Sequence, residues 1–307
     1  MGLFNWFRRK RSVSREVIVA GAGQRVAVQQ KQEPQKFRGG QPLSDLYMLP
    51  KDLQEVNRLD FQHYMLRYAL KSLYLAPIGQ PAHILDVACG TGRWVLEMAT
   101  AFPQAHVTGI DLTPPSTVGI AHAFPTNCAF QRVDVLEGLP FSPQSFDFVH
   151  QRLLVMALPL VHWPTVVYEL ARITALGGWV ELVELDLMFN NRGRATELLL
   201  HWIAAASQQR GMDISIGLKI GSFLQYAGLA NIEVKKVPIP LGNWGGRLGN
   251  MLITDFYAAT RTLQPLVTAK NGISVEEYDR VVNAWMRECE EYHTTCDFYV
   301  AYGRKVV

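Results

Sequence analysis

Cysteine is scarce and unpaired. The four residues, Cys89, Cys128, Cys289 and Cys296, fall at irregular intervals with no CxxC pair, so neither a disulfide framework nor a cysteine-built zinc site is indicated, and no metal is expected. No apolar run approaches the roughly 18 residues needed to cross a bilayer. The amino terminus lacks the basic-then-apolar order of a secretory signal, since Leu3, Phe4, Trp6 and Phe7 precede Arg8, Arg9, Lys10 and Arg11. No internal repeat is visible. These absences together imply a reducing, cytoplasmic setting. Basic charge is also missing where a nucleic-acid surface would need it. Nine of the 30 lysines and arginines lie in the first 40 residues against two acids, Glu16 and Glu33, leaving a body with 21 basic and 25 acidic residues. A net −4 body without a basic stripe argues against DNA or RNA as a partner.

What is present is a globular composition: 307 residues, 49% apolar and 19% charged, enough to bury a large core. Residues 1 to 43 read as a basic tail that is solvated and flexible, or as a weak contact for an anionic membrane surface through its aromatic and polybasic run. The tail also holds a decoy. Residues 17 to 20 followed by Gly21, Ala22 and Gly23 imitate the opening of a dinucleotide fingerprint. The third glycine position is Val26, and Pro34 cuts off the helix that the fingerprint requires.

From residue 44 the pattern becomes periodic. Residues 54 to 75 place Val56, Leu59, Met65, Leu66, Ala69, Leu70 and Leu73 at mostly helical spacing. A buried strand follows at 83 to 87, then a glycine-rich turn and a helix running to about 102. Further strands are expected at 106 to 111, 128 to 133, 146 to 150 and 178 to 185, with a helix at 163 to 175. Strands alternating with helices imply right-handed βαβ units and a parallel sheet covered on both faces.

The glycine turn is the informative stretch. Gly90 and Gly92 let a ligand approach the backbone, and the helix behind them offers free amides. The third fingerprint position is Val95, and the strand before the turn carries an acid, Asp86, which repels a pyrophosphate but suits a ligand bearing an ammonium and a sulfonium. Asp111 ends the next strand 19 residues after Gly92, where it can accept both ribose hydroxyls, and Leu112 offers an apolar face to a base. Asp134 and Val135, at a third strand end, present a carboxylate and an amide to an adenine. Any one of these acids also reads as an ordinary strand-end turn residue.

The segments ILDVACGTGRW (84 to 94), GIDL (109 to 112), VDV (133 to 135), FDFVHQRL (146 to 153) and GGWVELVE (177 to 184) resemble a class I S-adenosylmethionine-dependent methyltransferase in motif order and spacing. The similarity is greatest to the LaeA-like and UbiE-type branch, through NRLDFQHYMLRYAL and LYLAPI before the glycine motif, PSTVGIAHAFPTNCAF, HWP, LQYAGLANIEV and the closing FYVAYGRKV, so that it covers residues 44 to 306. It implies an α/β, Rossmann-like doubly wound sheet of seven strands, six parallel and the last antiparallel, with the final two near 231 to 240 and 295 to 305. About 241 to 294 would form a helical cap, with helices at 247 to 268 and 274 to 291. It implies S-adenosyl-L-methionine as cofactor, with Asp86, Ala88, Gly90 and Gly92 at its methionine portion, Asp111 and Leu112 at ribose and adenine, and Asp134 and Val135 at adenine. His150 and Gln151 would flank the methionine and the transferring methyl. Tyr64 and Arg67 would close the pocket from above, with Arg67 on the cofactor carboxylate, although an arginine on an amphipathic helix also reads as solvated.

His150 is the first candidate for a general base, its alternative role being to shape the pocket. His162, with Trp163, Glu184 and Asp186, forms a second candidate rim group, and His122 is a third histidine. Cys89 reads as a small buried residue. In the cap, Trp202, Trp244, Phe256, Tyr257 and Trp285 are candidates to line an apolar cavity or to be core, with Gly245, Gly246 and Gly249 as hinges. The expected function is methylation of a small, largely apolar molecule such as a quinone, lipid or secondary metabolite. The alternative is a cofactor-binding regulator of the LaeA type with little turnover of its own. Acceptor atom and oligomeric state are not legible.

Overall fold

A computed structural model describes residues 17–19, 53–113, 115 and 124–306. His122, the paired glycines of the decoy and nearly all of the tail lie outside the described residues.

Eight strands form one sheet: β1 (Val17–Val19), β2 (His83–Val87), β3 (His106–Asp111), β4 (Cys128–Arg132), β5 (Phe146–Arg152), β6 (Thr174–Asn190), β7 (Ala230–Pro240) and β8 (Thr295–Arg304). Their spatial order is β1-β4-β3-β2-β5-β6-β8-β7. β4, β3, β2, β5 and β6 pair in parallel, and β8 runs antiparallel to both β6 and β7, so β7 points with the other five. Six parallel strands and one antiparallel strand are the arrangement expected. The addition is β1, an antiparallel edge strand on β4 in the register Val17↔Gln131 to Val19↔Ala129. The apolar run that imitates a fingerprint strand therefore pairs at the sheet edge.

Seven helices accompany the strands among the described residues: α1 (Leu53–Leu70), α2 (Arg93–Ala101), α3 (Trp163–Ile173), α4 (Arg194–Gln208), α5 (Ile220–Tyr226), α6 (Gly246–Asn271) and α7 (Val275–Glu291). The central strand β2 is buried throughout after His83, as a strand covered on both faces must be. Successive residues alternate between two cores: Leu85, Val149 and Leu182 face α3 and α5, whereas Ile84, Phe148 and Val183 face Trp94, Val95 and Met98 of α2. α1 stops at Leu70, short of the expected 75, where Lys71 takes a left-handed φ of 54°. β6 extends well past the predicted 185.

α4 leaves the carboxyl end of β6, and α6 and α7 leave that of β7, so all three stand at the end of the sheet where the glycine turn opens. They pack on one another, and α1 packs on α6. Two carboxylates of α7 tie the cap together. Glu288 accepts from the amides of Ala195 and Thr196 at 2.8 and 2.7 Å, and Glu290 accepts from those of Asn243 and Trp244 at 2.5 and 2.9 Å. Each neutralises amides that a starting helix leaves unbonded.

Gly245 and Gly249 are close-packing positions instead of hinges. A Cβ would stand 2.0 Å from Pro240 at the first and 2.1 Å from the Gly242 carbonyl oxygen at the second. The five cap aromatics do not converge. Trp202 stacks on Tyr278, Phe256 on Phe189, and Trp285 is fully buried, so these three are core; Trp244 stacks on His293, and Tyr257 is exposed.

Candidate functional site

The chain turns sharply after β2. Ala88, Gly90 and Gly92 adopt φ of 56°, 55° and 74°, and the amide of Cys89 reaches the Ile110 carbonyl at 2.9 Å. At Gly92 a Cβ would meet the Phe130 ring at 2.6 Å, so glycine is required there by both conformation and space. Asp111 braces the turn from the end of β3: one carboxylate oxygen accepts from Gly90 N at 3.0 Å, and the other from Thr113 N at 2.9 Å. Asp134 accepts from Leu136 N at 2.9 Å and starts a short 3-10 turn that contains Val135. Leu112 and Val135 are half-buried beside these acids. The carboxylates of Asp86, Asp111 and Asp134 thus stand on or just past the ends of three strands around one turn.

Beneath the turn lies a buried polar chain. The His150 imidazole, 1% exposed, places Nδ1 2.9 Å from Asp86 Oδ1 and Nε2 3.9 Å from Glu181 Oε1, and its ring lies flat on Trp94 at 4.1 Å. Glu181 Oε2 accepts from the amides of Leu75 and Ala76 at 2.7 and 2.6 Å, which fixes the segment after α1 to the sheet. Burial pushes the Glu181 carboxyl above its ordinary range, opposed by His150 and the two amides.

A second network joins β5 to the helix above. Arg152 donates to Nδ1 of His63 on α1 at 3.0 Å, and His63 Nε2 stands 3.3 Å from Glu97 on α2. Burial, then the charges of Arg152, Arg67 and Arg93, lower the His63 pKa to about 3. A neutral imidazole that accepts at Nδ1 carries its proton at Nε2, facing Glu97. Arg67 is 52% exposed and pairs with Glu97 at 2.7 Å, while Arg93 pairs with Asp60 at 2.8 Å. Tyr64 is 43% exposed on the same helix. α1 therefore covers the turn, with Leu59 3.6 Å from the position a Gly90 Cβ would take.

His63, Leu66, Leu70, Leu73, Trp94, His150, Arg152 and Val183 are among the residues lining a small cavity of about 10 Å³ beneath α1. Several buried polar atoms around the turn lack hydrogen-bond partners among the described residues: Asp86 Oδ2 and both amide atoms of Gln151. Unpaired polar atoms at these depths are costly unless something else meets them. Left-handed φ values at Ala88 and at Leu153, where β2 and β5 end, store strain at the same place.

Other candidates go elsewhere. Glu184 accepts from the amides of Leu154 and Val155 at 2.6 and 3.2 Å and so supports the turn after β5; burial raises its pKa to about 8. Asp186 accepts from Met188 N, Trp163 is core, and neither joins His162 and Glu184 in a rim. Burial also pushes the Cys89 thiol well above its ordinary value, which leaves it unreactive. Sequence reasoning missed Trp94, Glu181, Arg152 and His63. The alternation Phe148, His150, Arg152 along β5 was a signal that Arg152 shares the face of His150.

Residues 84–178 match the family model for a methyltransferase domain. The N-methyltransferase sirN of Leptosphaeria maculans is 29% identical over 272 residues, spanning 84% of this chain and 94% of that protein. Methyltransferase str3 of Strobilurus tenacellus is 31% identical over 201 residues, 63% of this chain and 70% of that one. LaeA of Emericella nidulans, named both a protein-methionine methyltransferase and a secondary metabolism regulator, is 32% identical over 209 residues, 65% of this chain and 54% of its own. Among solved structures, Haemonchus contortus phosphoethanolamine N-methyltransferase 2 in complex with S-adenosyl-L-methionine aligns with a TM-score of 0.48 at 18% identity, covering 85% of this chain and 54% of that one.

Proposed function

The chain belongs to the class I S-adenosylmethionine-dependent methyltransferases, and on that premise we propose that it methylates a small, largely apolar molecule of secondary metabolism by holding the reactants in line. The observation that carries this reading is the gathering of Asp86 Oδ2 and the Gln151 amide, buried and without partners among the described residues, around a glycine turn braced by Asp111. That donor set fits the cofactor. Asp86 would take its ammonium, Gly90 and Gly92 would give it room, Asp111 would accept ribose hydroxyls, Leu112 would pack on adenine, and Asp134 with Val135 would read the adenine edge.

S-adenosyl-L-methionine, when bound, supplies a methyl group on a sulfonium whose departure as a thioether needs no proton. The enzyme's contribution is then positioning and exclusion of water. His150 fits the role of a positioning residue better than that of a general base. One nitrogen is engaged by Asp86, the other faces Glu181, and Trp94 covers a ring face. The cover that α1 and Trp94 form over the turn supports a small acceptor, as does the mildly acidic body.

The test is incubation of the protein with methyl-labelled cofactor and an extract of the source cells. Label in a small extractable compound supports the proposal. Label confined to the protein fraction overturns it and favours the regulator reading, which the laeA similarity keeps in view.

A further inference from the structure

Arg152 and Asp86, groups of opposite charge, each keep hydrogen-bonding capacity that no described residue meets. Arg152 enters the cavity from the end of β5, and its single hydrogen bond among the described residues goes to a neutral imidazole, Nδ1 of His63. It makes no ion pair among the described residues, although the charges of Asp86 and Glu97 act on it from farther away. A guanidinium has five donors and is not deprotonated, so a half-buried one served by one neutral acceptor among the described residues is under-used. The complementary acid is Asp86, whose Oδ2 is buried and has no partner among the described residues.

Their spacing is set by the sheet. Asp86 pairs in register with His150, and Arg152 follows two residues later on the same face of β5, roughly 6.5 Å along the strand. An α-amino acid holds its ammonium and carboxylate on adjacent carbons, and with hydrogen bonds of about 2.8 Å on either side it bridges groups roughly 6 to 8 Å apart. Arg67, which also borders the cavity, is half exposed and already committed to Glu97 at 2.7 Å.

We propose that Arg152 is the carboxylate receptor of the site, and that with Asp86 it clamps the zwitterionic end of the cofactor. The planar fork of the guanidinium meets the carboxylate in two parallel bonds, and the His63 bond holds that fork under α1 before the ligand arrives. Carboxylate binding at Arg152 thereby ties cofactor entry to the position of α1. The proposal rests on the cofactor reading above.

The test is calorimetric titration of the full chain with two probes, S-adenosylhomocysteine, which carries the amino-acid end, and 5′-methylthioadenosine, which lacks it. In Arg152→Met the affinity for S-adenosylhomocysteine should fall roughly 10- to 100-fold, the size expected for loss of a charge-assisted pair. Affinity for 5′-methylthioadenosine should stay within about twofold, which also certifies the fold. Arg152→Lys should recover part of the loss. Equal losses for both probes, or none for either, overturn the assignment. Wild-type protein that binds neither probe would instead sink the cofactor reading on which it rests.

Discussion

Asp86 and His150 face each other across paired strands with Oδ1 and Nδ1 2.9 Å apart, and the imidazole that completes this pair is sealed by the Trp94 ring. An open general base needs a free nitrogen within reach of the acceptor's proton. His150 offers instead a way to aim the Asp86 carboxylate, leaving its other oxygen for a ligand.

His150→Ala should therefore behave as a structural and binding lesion. It leaves Asp86 and Glu181 buried without their shared partner and opens space under Trp94, a combined cost of about 3 kcal/mol. Urea unfolding and calorimetry with S-adenosylhomocysteine should both register the change. A variant with wild-type stability and affinity but turnover cut more than 100-fold would restore the general-base role.

Asp111→Ala should weaken cofactor binding by about 1 to 3 kcal/mol, because it removes hydroxyl acceptors and also frees the Gly90 and Thr113 amides that shape the turn. Asp111→Asn, which keeps one acceptor oxygen, should lose less. Unchanged calorimetric affinity in the alanine variant would refute the ribose assignment.

Glu184 gives a pH dependence of defined sign. Its folded pKa of about 8 lies above its ordinary value, so the folded state holds a proton that the unfolded state has already lost. This contribution is fully present below about pH 4.5 and disappears as pH rises through 8, with a slope of at most about 1.4 kcal/mol per unit. Glu184→Gln should flatten the fall in unfolding free energy measured between pH 5 and 8. Parallel curves for variant and wild type would contradict it.

Arg58 joins the covering helix to the cap. It pairs with Glu55 at 2.7 Å and with the buried Asp255 of α6 at 2.8 Å, and Gln62 donates to the same aspartate at 3.0 Å. Arg58→Met should cost roughly 3 kcal/mol or more, since it leaves the buried Asp255 without its cation, and Asp255→Ala should cost less, because Glu55 still pairs with Arg58. The double variant should cost clearly less than their sum in a thermal or urea cycle. Strict additivity would show that the two residues do not act as one unit.

The sequence made legible whatever is encoded locally. Period-2 and period-3.6 patterns located β2 to β6 and the helices α1, α2 and α3, the family resemblance supplied β7, β8 and the cap helices α6 and α7, and the acid-ended strands around Gly90 and Gly92 marked one turn. Long-range commitments were not readable there. Arg67 looks free on its helix until Glu97, 30 residues on, is seen to hold it. Gly245 and Gly249 look like hinges until Pro240 and the Gly242 carbonyl come up against them. Glu181, Glu184 and Arg152 acquire roles only through partners on other elements. The short helix α5 and the longer α4 were missed because neither carries a motif that the strand-helix alternation required.

The placement of β8 between β6 and β7 bears on how the nascent protein matures. Residues 230–240 leave the ribosome with no neighbouring strand to join, because the only edge that accepts them belongs to a strand synthesised some 55 residues later. Until then β6 and β7 each present an open edge to other chains, the feature that templates aggregation. Chaperone dependence during synthesis should accordingly concentrate in the window between residues 240 and 304. Premature stops in that window should yield aggregates instead of a smaller working enzyme.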